Sequence, residues 1–231
     1  MSPPTGFGGD PVLHLEGVSK TYRDGSSEIR ALREIDLDLG RGEMVSLAGV
    51  SGSGKTTLLG VIAGLVLPES GHVRFNAVDL ISLSDTERAR VRNTGIGIVL
   101  QRGNLIPFLT VRENVELVTG LDPDGGSAAE AVDLLHHLGL ENRLDHRPRQ
   151  LSGGEAQRAA VAVALANKPA LVLADEATAE LDGETADQVM ELLFDQWRRH
   201  QLTVLYVTHD AELAARAERQ LKIVDGRLVP S

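Results

Sequence analysis

The chain has 231 residues, with 42% apolar and 24% charged side chains, and can bury a core as one large domain or two small lobes. Its formal net charge of −10 argues against a general nucleic-acid binder and against direct adhesion to anionic lipid. With no cysteine, disulfides and thiolate metal sites are excluded too, and a reducing cytosol fits.

The opening "MSPPTGFGGDP" has neither a basic start nor an apolar run, so residues 1–11 read as a flexible tail rather than a signal peptide. "VLHLEGVSKTY" (Val12–Tyr22) and "IRALREIDLDLG" (Ile29–Gly40) alternate apolar and polar residues as half-buried strands do. "EMVSLAG" (Glu43–Gly49) is a short, nearly continuous apolar run, the mark of a buried strand, and "TTLLGVIAGL" (Thr56–Leu65) a helix. "SGHVRFNAVDL" (Ser70–Leu80) predicts two short antiparallel strands. "SDTERARVR" follows with a capping box in which Glu87 stands three residues after Ser84. "GIGIVLQ" (Gly95–Gln101) is another buried strand with a polar end.

From about 102 to 165 the pattern turns helical ("VRENVELV", "SAAEAVDLLHHLGL"), broken by "LDPDGG" and "RPRQ", which predicts a helical lobe inserted into the main sheet. Strands "ALVLADE" (Ala170–Glu176) and "TVLYVTHD" (Thr203–Asp210) then alternate with helices, and "KIVDGRLV" predicts a hairpin turning on Asp225-Gly226. Strands alternating with helices imply an α/β chain whose parallel sheet is covered on both faces. No window approaches the roughly 20 apolar residues of a membrane span. On its own the chain is expected to be soluble, as one domain over residues 12–231.

"GVSGSGKT", the run Gly49, Val50, Ser51, Gly52, Ser53, Gly54, Lys55 and Thr56, fits G-x-x-x-x-G-K-[ST] between a strand and a helix. Such a loop wraps a phosphate with backbone N–H groups and adds the positive end of the helix dipole. Lys55 can reach the outer phosphates, and the Thr56 hydroxyl can hold Mg²⁺; Thr57 follows at the helix start. The bland alternative is a flexible glycine turn. "ALVLADE" ends on Asp175 and Glu176, placed where ligands of open α/β sheets bind. Asp175 is expected to hold Mg²⁺ and Glu176 to polarise an attacking water. Gln101 and His209 end or follow strands and can reach the same rim, although either can be an ordinary polar strand end. Tyr22 can stack on a base or be a partly buried edge residue. The remaining histidines show no metal-ligand spacing. Ser152 and Glu155 make a second capping box. With the Gly153 and Gly154 amides, Ser152 forms a second anion-binding tip.

Taken in order, "SKTY", "GVSGSGKTT", "IVLQ", "LSGGEAQR", "LVLADEATAELD" and "VTHD" resemble the ATP-binding-cassette ATPases over nearly the whole chain. "LSGGEAQR" is the most specific element, absent from other phosphate-loop ATPases and kinases. "GIGIVLQRGNLIPFLTVRENV" and "EATAELD" look like the branch serving lipoprotein release, macrolide efflux and cell division, with Ala177 and Glu180 departing from its usual proline and asparagine.

The resemblance implies a P-loop NTPase (RecA-like) core, an N-terminal antiparallel β lobe and the inserted helical lobe. It implies ATP and Mg²⁺ as cofactors. Thr56, Gln101 and Asp175 fall to the metal, and Glu176, His209 and Gln101 to catalysis. It further implies that Ser152, Gly153 and Gly154 bind the terminal phosphate of ATP held by a second copy of the chain, with Asp182 at the boundary. A separate transmembrane permease subunit, contacted through the region after Gln101, would place the chain at the cytoplasmic face of the cell membrane. Leu105, Ile106, Phe108 and Leu109 there can form a groove for that partner or the core of the helical lobe. A soluble cassette ATPase working on chromosomes or ribosomes is the alternative, although it would need a coiled-coil insertion or a second cassette.

Overall fold

The computed structural model describes residues 10–25, 27–101, 105–121 and 127–229; most of the expected tail and the first residues of the expected lobe fall outside them. The two alternating segments form β1 (Leu13–Asp24) and β2 (Ser27–Leu39), an antiparallel pair. The apolar run that follows becomes β3 (Met44–Ala48), and the helix after the glycine loop becomes α1 (Lys55–Ile62). β4 (Ser70–Phe75) and β5 (Val78–Asp79) complete a sheet of order β2-β1-β4-β5. α2 (Asp85–Gly95) starts at the expected box: Ser84 Oγ accepts from Glu87 N while Glu87 Oε2 accepts from Ser84 N.

β6 (Ile96–Leu100) opens the second half, followed by α3 (Val111–Gly120), α4 (Ala128–His137) and α5 (Gly153–Leu165). β7 (Leu171–Asp175), α6 (Gly183–His200), β8 (Thr203–Val207), α7 (Ala211–Ala214), β9 (Arg219–Val224) and β10 (Arg227–Val229) complete the described chain. The last two strands are the expected hairpin. Asp225 (φ 47°) and Gly226 (φ 77°) are both left-handed, the geometry that matches a two-residue turn to the twist of its strands.

The second sheet has the order β10-β9-β3-β8-β7-β6, with β9, β3, β8, β7 and β6 parallel. Its strands sort their residues by alternation. Met44, Val99, Val172, Ala174, Val204 and Tyr206 face one core, built with α3, α4, α5 and α6. Val45, Leu47, Leu171, Leu173, Leu205 and Val207 face the other, built with α1 and the antiparallel sheet. Both faces are covered as expected, one of them largely by another sheet. Each fully buried Leu or Val here is worth roughly 1.5–3 kcal/mol, so a one-residue slip, which swaps the faces, is strongly opposed.

Tyr206 ties β8 to the helix beyond it. Its hydroxyl donates to Leu213 O at 2.7 Å, its ring lies 6.0 Å from that of Phe194, and Arg216 sits 4.1 Å over Phe194 while pairing with Glu191. Burial pushes the phenol up from 10.0 to about 12, against the opposing pull of Arg216 and Ser46. A raised phenol contributes stability that is complete below pH 10 and lost as pH climbs through about 12. Tyr206→Phe is therefore expected to cost about 1 kcal/mol at pH 8, the net worth of one hydrogen bond. That deficit narrows at pH 11, which urea denaturation at the two pH values measures.

Candidate functional site

The parallel register delivers the expected residues to one rim. Leu47 pairs with Val207, Val207 with Asp175, and Asp175 with Leu100, so four strands end on one line. The residues that follow are the glycine loop, Thr208-His209, Glu176 and Gln101. This edge gathers every expected catalytic residue.

The glycine loop is held tightly from behind. Gly54 has φ 111°, and a side chain there would drive a Cβ into the Ala31 carbonyl of β2. The Gly226 N–H of the terminal hairpin donates to Ser53 O at 3.0 Å. No feature of "KIVDGRLV" announces this contact. Lys55 is nearly buried, and its Nζ donates to Gly49 O (2.8 Å) and Val50 O (3.0 Å). The Ser53 hydroxyl is buried with no hydrogen-bond partner among the described residues. Val50 stands out into solvent, and Thr57 lies in the first turn of α1.

Thr56 Oγ1 donates to Asp175 Oδ2 at 3.0 Å, so two of the three expected metal ligands touch. Burial raises the Asp175 carboxyl above its ordinary value; the Thr56 bond opposes this, adjacent Glu176 adds to it, and Lys55 opposes it. A hydroxyl and a half-buried carboxylate are hard oxygen donors, and Mg²⁺ binds through one or two carboxylates together with phosphates and water. The donor set fits Mg²⁺, with Gln101 as a further oxygen within the same rim.

Glu176 has φ 48°, a left-handed conformation that costs a non-glycine residue about 1–3 kcal/mol. Its N–H donates to Val207 O (3.3 Å) and its carbonyl accepts from Ala179 N (3.0 Å), which hold the bend in place. The next residue, Ala177, fills a buried core position. His209 is exposed one residue after Thr208, whose Oγ1 accepts from Asp210 N. Tyr22 is 42% exposed on the outer hairpin with Lys20 5.5 Å over its ring. It pairs with Ile29, two residues along β2 from the Ala31 carbonyl that the glycine loop packs against.

The expected second anion-binding tip stands elsewhere. Ser152 caps α5 as read, with Glu155 N donating to its Oγ (3.2 Å) and Ser152 N donating to Glu155 Oε2 (2.8 Å). The Ser152 N–H and Arg143 hold the Glu155 carboxyl below its usual range, and Arg143 Nε lies 2.8 Å from it. A Cβ on Gly154 would collide with Thr185 of α6, so this glycine lets two helix starts meet. Asp182 caps α6 beside it, its carboxyl lowered by the Thr185 N–H it accepts at 3.0 Å. α5 is seated on the sheet edge, where Gln157 Nε2 donates to Leu100 O at 3.1 Å. β6 lies three strand spacings, or roughly 15 Å, from β3 and its glycine loop. The structure does not bring the two phosphate tips together.

Three contacts escaped the sequence reading. Glu180 Oε1 accepts from Gln101 Nε2 at 3.2 Å. Buried Asn114 organises the segment after Gln101, accepting from Ile106 N (2.8 Å) and donating to Thr110 O (2.8 Å). A polar residue on the apolar stripe of "VRENVELV" was the available signal. Thr185 abuts Gly154 from another helix, which no local pattern reveals. Of the four apolar residues in that segment, Leu105 packs on the helical core and Phe108 is 71% exposed.

Residues 32–179 match the ABC transporter family. Among solved structures, the ATP-binding cassette MJ0796, seen as a dimer in a post-hydrolysis state with ADP and Pi, has a TM-score of 0.87 and 40% identity, covering 94% of this chain and 96% of that one. CbiO1 from Clostridium perfringens, part of the ABC transporter complex CbiONQ, has a TM-score of 0.81 and 28% identity, covering 96% of this chain and 88% of that one. The chain belongs to the ABC transporter family. The P-loop NTPase core, with its antiparallel lobe and helices between β6 and β7, is the fold of such a cassette. Among the described residues of this ABC cassette no helix is long and apolar enough to cross a membrane.

The raised Asp175 carboxyl has a measurable consequence. Its ionisation costs stability as pH rises above 3.8, and asparagine removes that cost while still accepting from Thr56. Asp175→Asn is expected to melt at or above the parent temperature at pH 8. The difference shrinks as pH falls toward the ordinary carboxylate range, while ATP hydrolysis in Mg²⁺ is lost. Thermal melts across pH and a phosphate-release assay check both halves.

Proposed function

We propose that this ABC ATPase closes as a head-to-tail pair around two ATPs and drives a separate transmembrane subunit from the cytoplasmic face of the membrane. The observation that carries the pairing is the separation of the two anion-binding tips. A phosphate in the Gly49–Thr56 loop lies over β3, while Ser152, Gly153 and Gly154 stand beyond β6 at the far edge. One chain cannot close both on one phosphate. A second copy, turned by a two-fold axis, can supply its tip to the first copy's loop and receive the same in return. The dimeric state of MJ0796 with ADP and Pi supports this, and CbiO1 as part of CbiONQ supports a membrane complex.

On this reading Lys55 exchanges its two loop carbonyls for phosphate oxygens, and the loop amides with the start of α1 hold the remaining negative charge. Thr56, Asp175 and Gln101 would hold Mg²⁺, which would supply charge neutralisation to the phosphates. Glu176 orients the attacking water and takes its proton, its left-handed backbone fixing where the carboxylate stands. His209 donates to the γ-phosphate, Tyr22 stacks on the base, and Asp182 sits where the two chains meet. Loss of the γ-phosphate removes the contacts that favour closure, so hydrolysis opens the pair.

Two variants test this. Glu176→Gln keeps the hydrogen-bonding reach but removes the proton acceptor, so it should accumulate as an ATP-filled dimer in MgATP, read by size and nucleotide content. Rapid turnover to ADP in that variant would remove Glu176 from the reaction. Ser152→Arg should leave ATP binding by the monomer within a few-fold of the parent and abolish the dimer in light scattering. An unchanged dimer would overturn the shared site.

A further inference from the structure

A polar contact at the rim goes unused in the proposed reaction. Gln101, one residue beyond the Leu100–Asp175 register pair, donates from Nε2 to Glu180 Oε1 at 3.2 Å. Both side chains are exposed, and Glu180 lies between the strand-end acid Glu176 and the helix cap Asp182. The chemistry of this pair is one-sided. A carboxylate only accepts, so it engages the nitrogen of an amide and never the oxygen. With Nε2 committed, Oε1 is the end of Gln101 left to face a cation. A glutamine without such a partner has three rotatable bonds and two near-equivalent flips, and both freedoms are lost when it coordinates.

We propose that Glu180 is a positioning residue that orders the Gln101 side chain and turns its amide oxygen toward the cation held by Thr56 and Asp175. The inference rests on the proposed Mg²⁺ role of Gln101. It separates two properties of Glu180, its acceptor oxygen and its charge, and assigns the effect to the first.

The test uses the full chain with a non-hydrolysable ATP analogue and Mn²⁺ as the probe, free Mn²⁺ being counted by electron paramagnetic resonance. Glu180→Gln and Glu180→Met both remove the charge and keep the length, but only glutamine keeps an acceptor. Glutamine holds Gln101 in place while permitting both flips, so the Mn²⁺ Kd should rise about twofold, the factor for a half-populated competent state. Methionine frees the side chain, and the Kd should rise about three- to tenfold, the size of one net hydrogen bond. In a Gln101→Ala background the two changes should leave Kd alike.

Equal weakening by Gln and Met would make charge the cause and overturn the proposal. So would a Met variant as tight as the parent, or a Met effect that persists without Gln101. Failure of the parent chain itself to retain Mn²⁺ with the nucleotide analogue would instead overturn the metal site, and this inference with it. Parent binding with any of the three earlier outcomes overturns only the role of Glu180.

Discussion

The rim depends on the parallel register of β3, β8, β7 and β6. Those pairings align Leu47, Val207, Asp175 and Leu100, and each chain exit carries one part of the site. Alternation makes the register hard to change by one residue, because every core side chain would turn to the wrong face. A slip by two would keep the faces but shift a strand by about 6.6 Å. That would separate Asp175 from Thr56, which now meet at 3.0 Å. Burial in the core therefore fixes distances at an exposed edge, and the site inherits its geometry from apolar residues that never touch a ligand.

At this edge the polar groups are bound to one another. Lys55 holds two carbonyls of its own loop, Thr56 holds Asp175 and Gln101 holds Glu180, while at the separate start of α5 Ser152 holds Glu155. Each such pair has an ionised partner, and a bond to it is worth about 1.5–3 kcal/mol net, while a buried group left alone costs about 1–3 kcal/mol. The arrangement keeps the edge satisfied and leaves it exchangeable. A ligand that meets these groups with charged oxygens would exchange one charge-assisted bond for another, so the exchange carries little cost. Ser53 is the exception, a buried hydroxyl with no partner among the described residues, in the loop that would wrap a phosphate.

Much of this was legible in the sequence because the signals are local. Alternation in Val12–Gly40, the apolar runs of β3, β6, β7 and β8, the capping boxes at Ser84 and Ser152, and the Asp225-Gly226 turn are each set within a few residues. The contacts that stayed hidden join distant segments. The terminal hairpin backs the glycine loop through Gly226 and Ser53, Thr185 explains Gly154, and Glu180 meets Gln101 across 79 positions. No period or spacing encodes such meetings; the fold creates them. The covering of one sheet face by another sheet was hidden for the same reason, since alternation in β1 and β2 says that one side is buried and not against what.

Charge at the rim constrains how the proposed ligand can arrive. Asp175 and Glu176 are adjacent, Glu180 reaches the same edge through Gln101, and Lys55 is tied to carbonyls. Burial and Glu176 already raise the Asp175 carboxyl, so its ionised form is strained before any anion comes near. Bringing a further unit of negative charge to about 4 Å costs about 4 kcal/mol at an effective dielectric of 20. The Lys55 ammonium, the loop amides and the helix dipole offset part of that. On the proposed reading a cation arriving with the nucleotide would satisfy Asp175 and neutralise the phosphates. After cleavage the same carboxylates face a freed phosphate that no longer shares the chain of the nucleotide. On the proposed reading, the repulsion that the intact complex overcame would then favour its departure, and with it the opening of the pair.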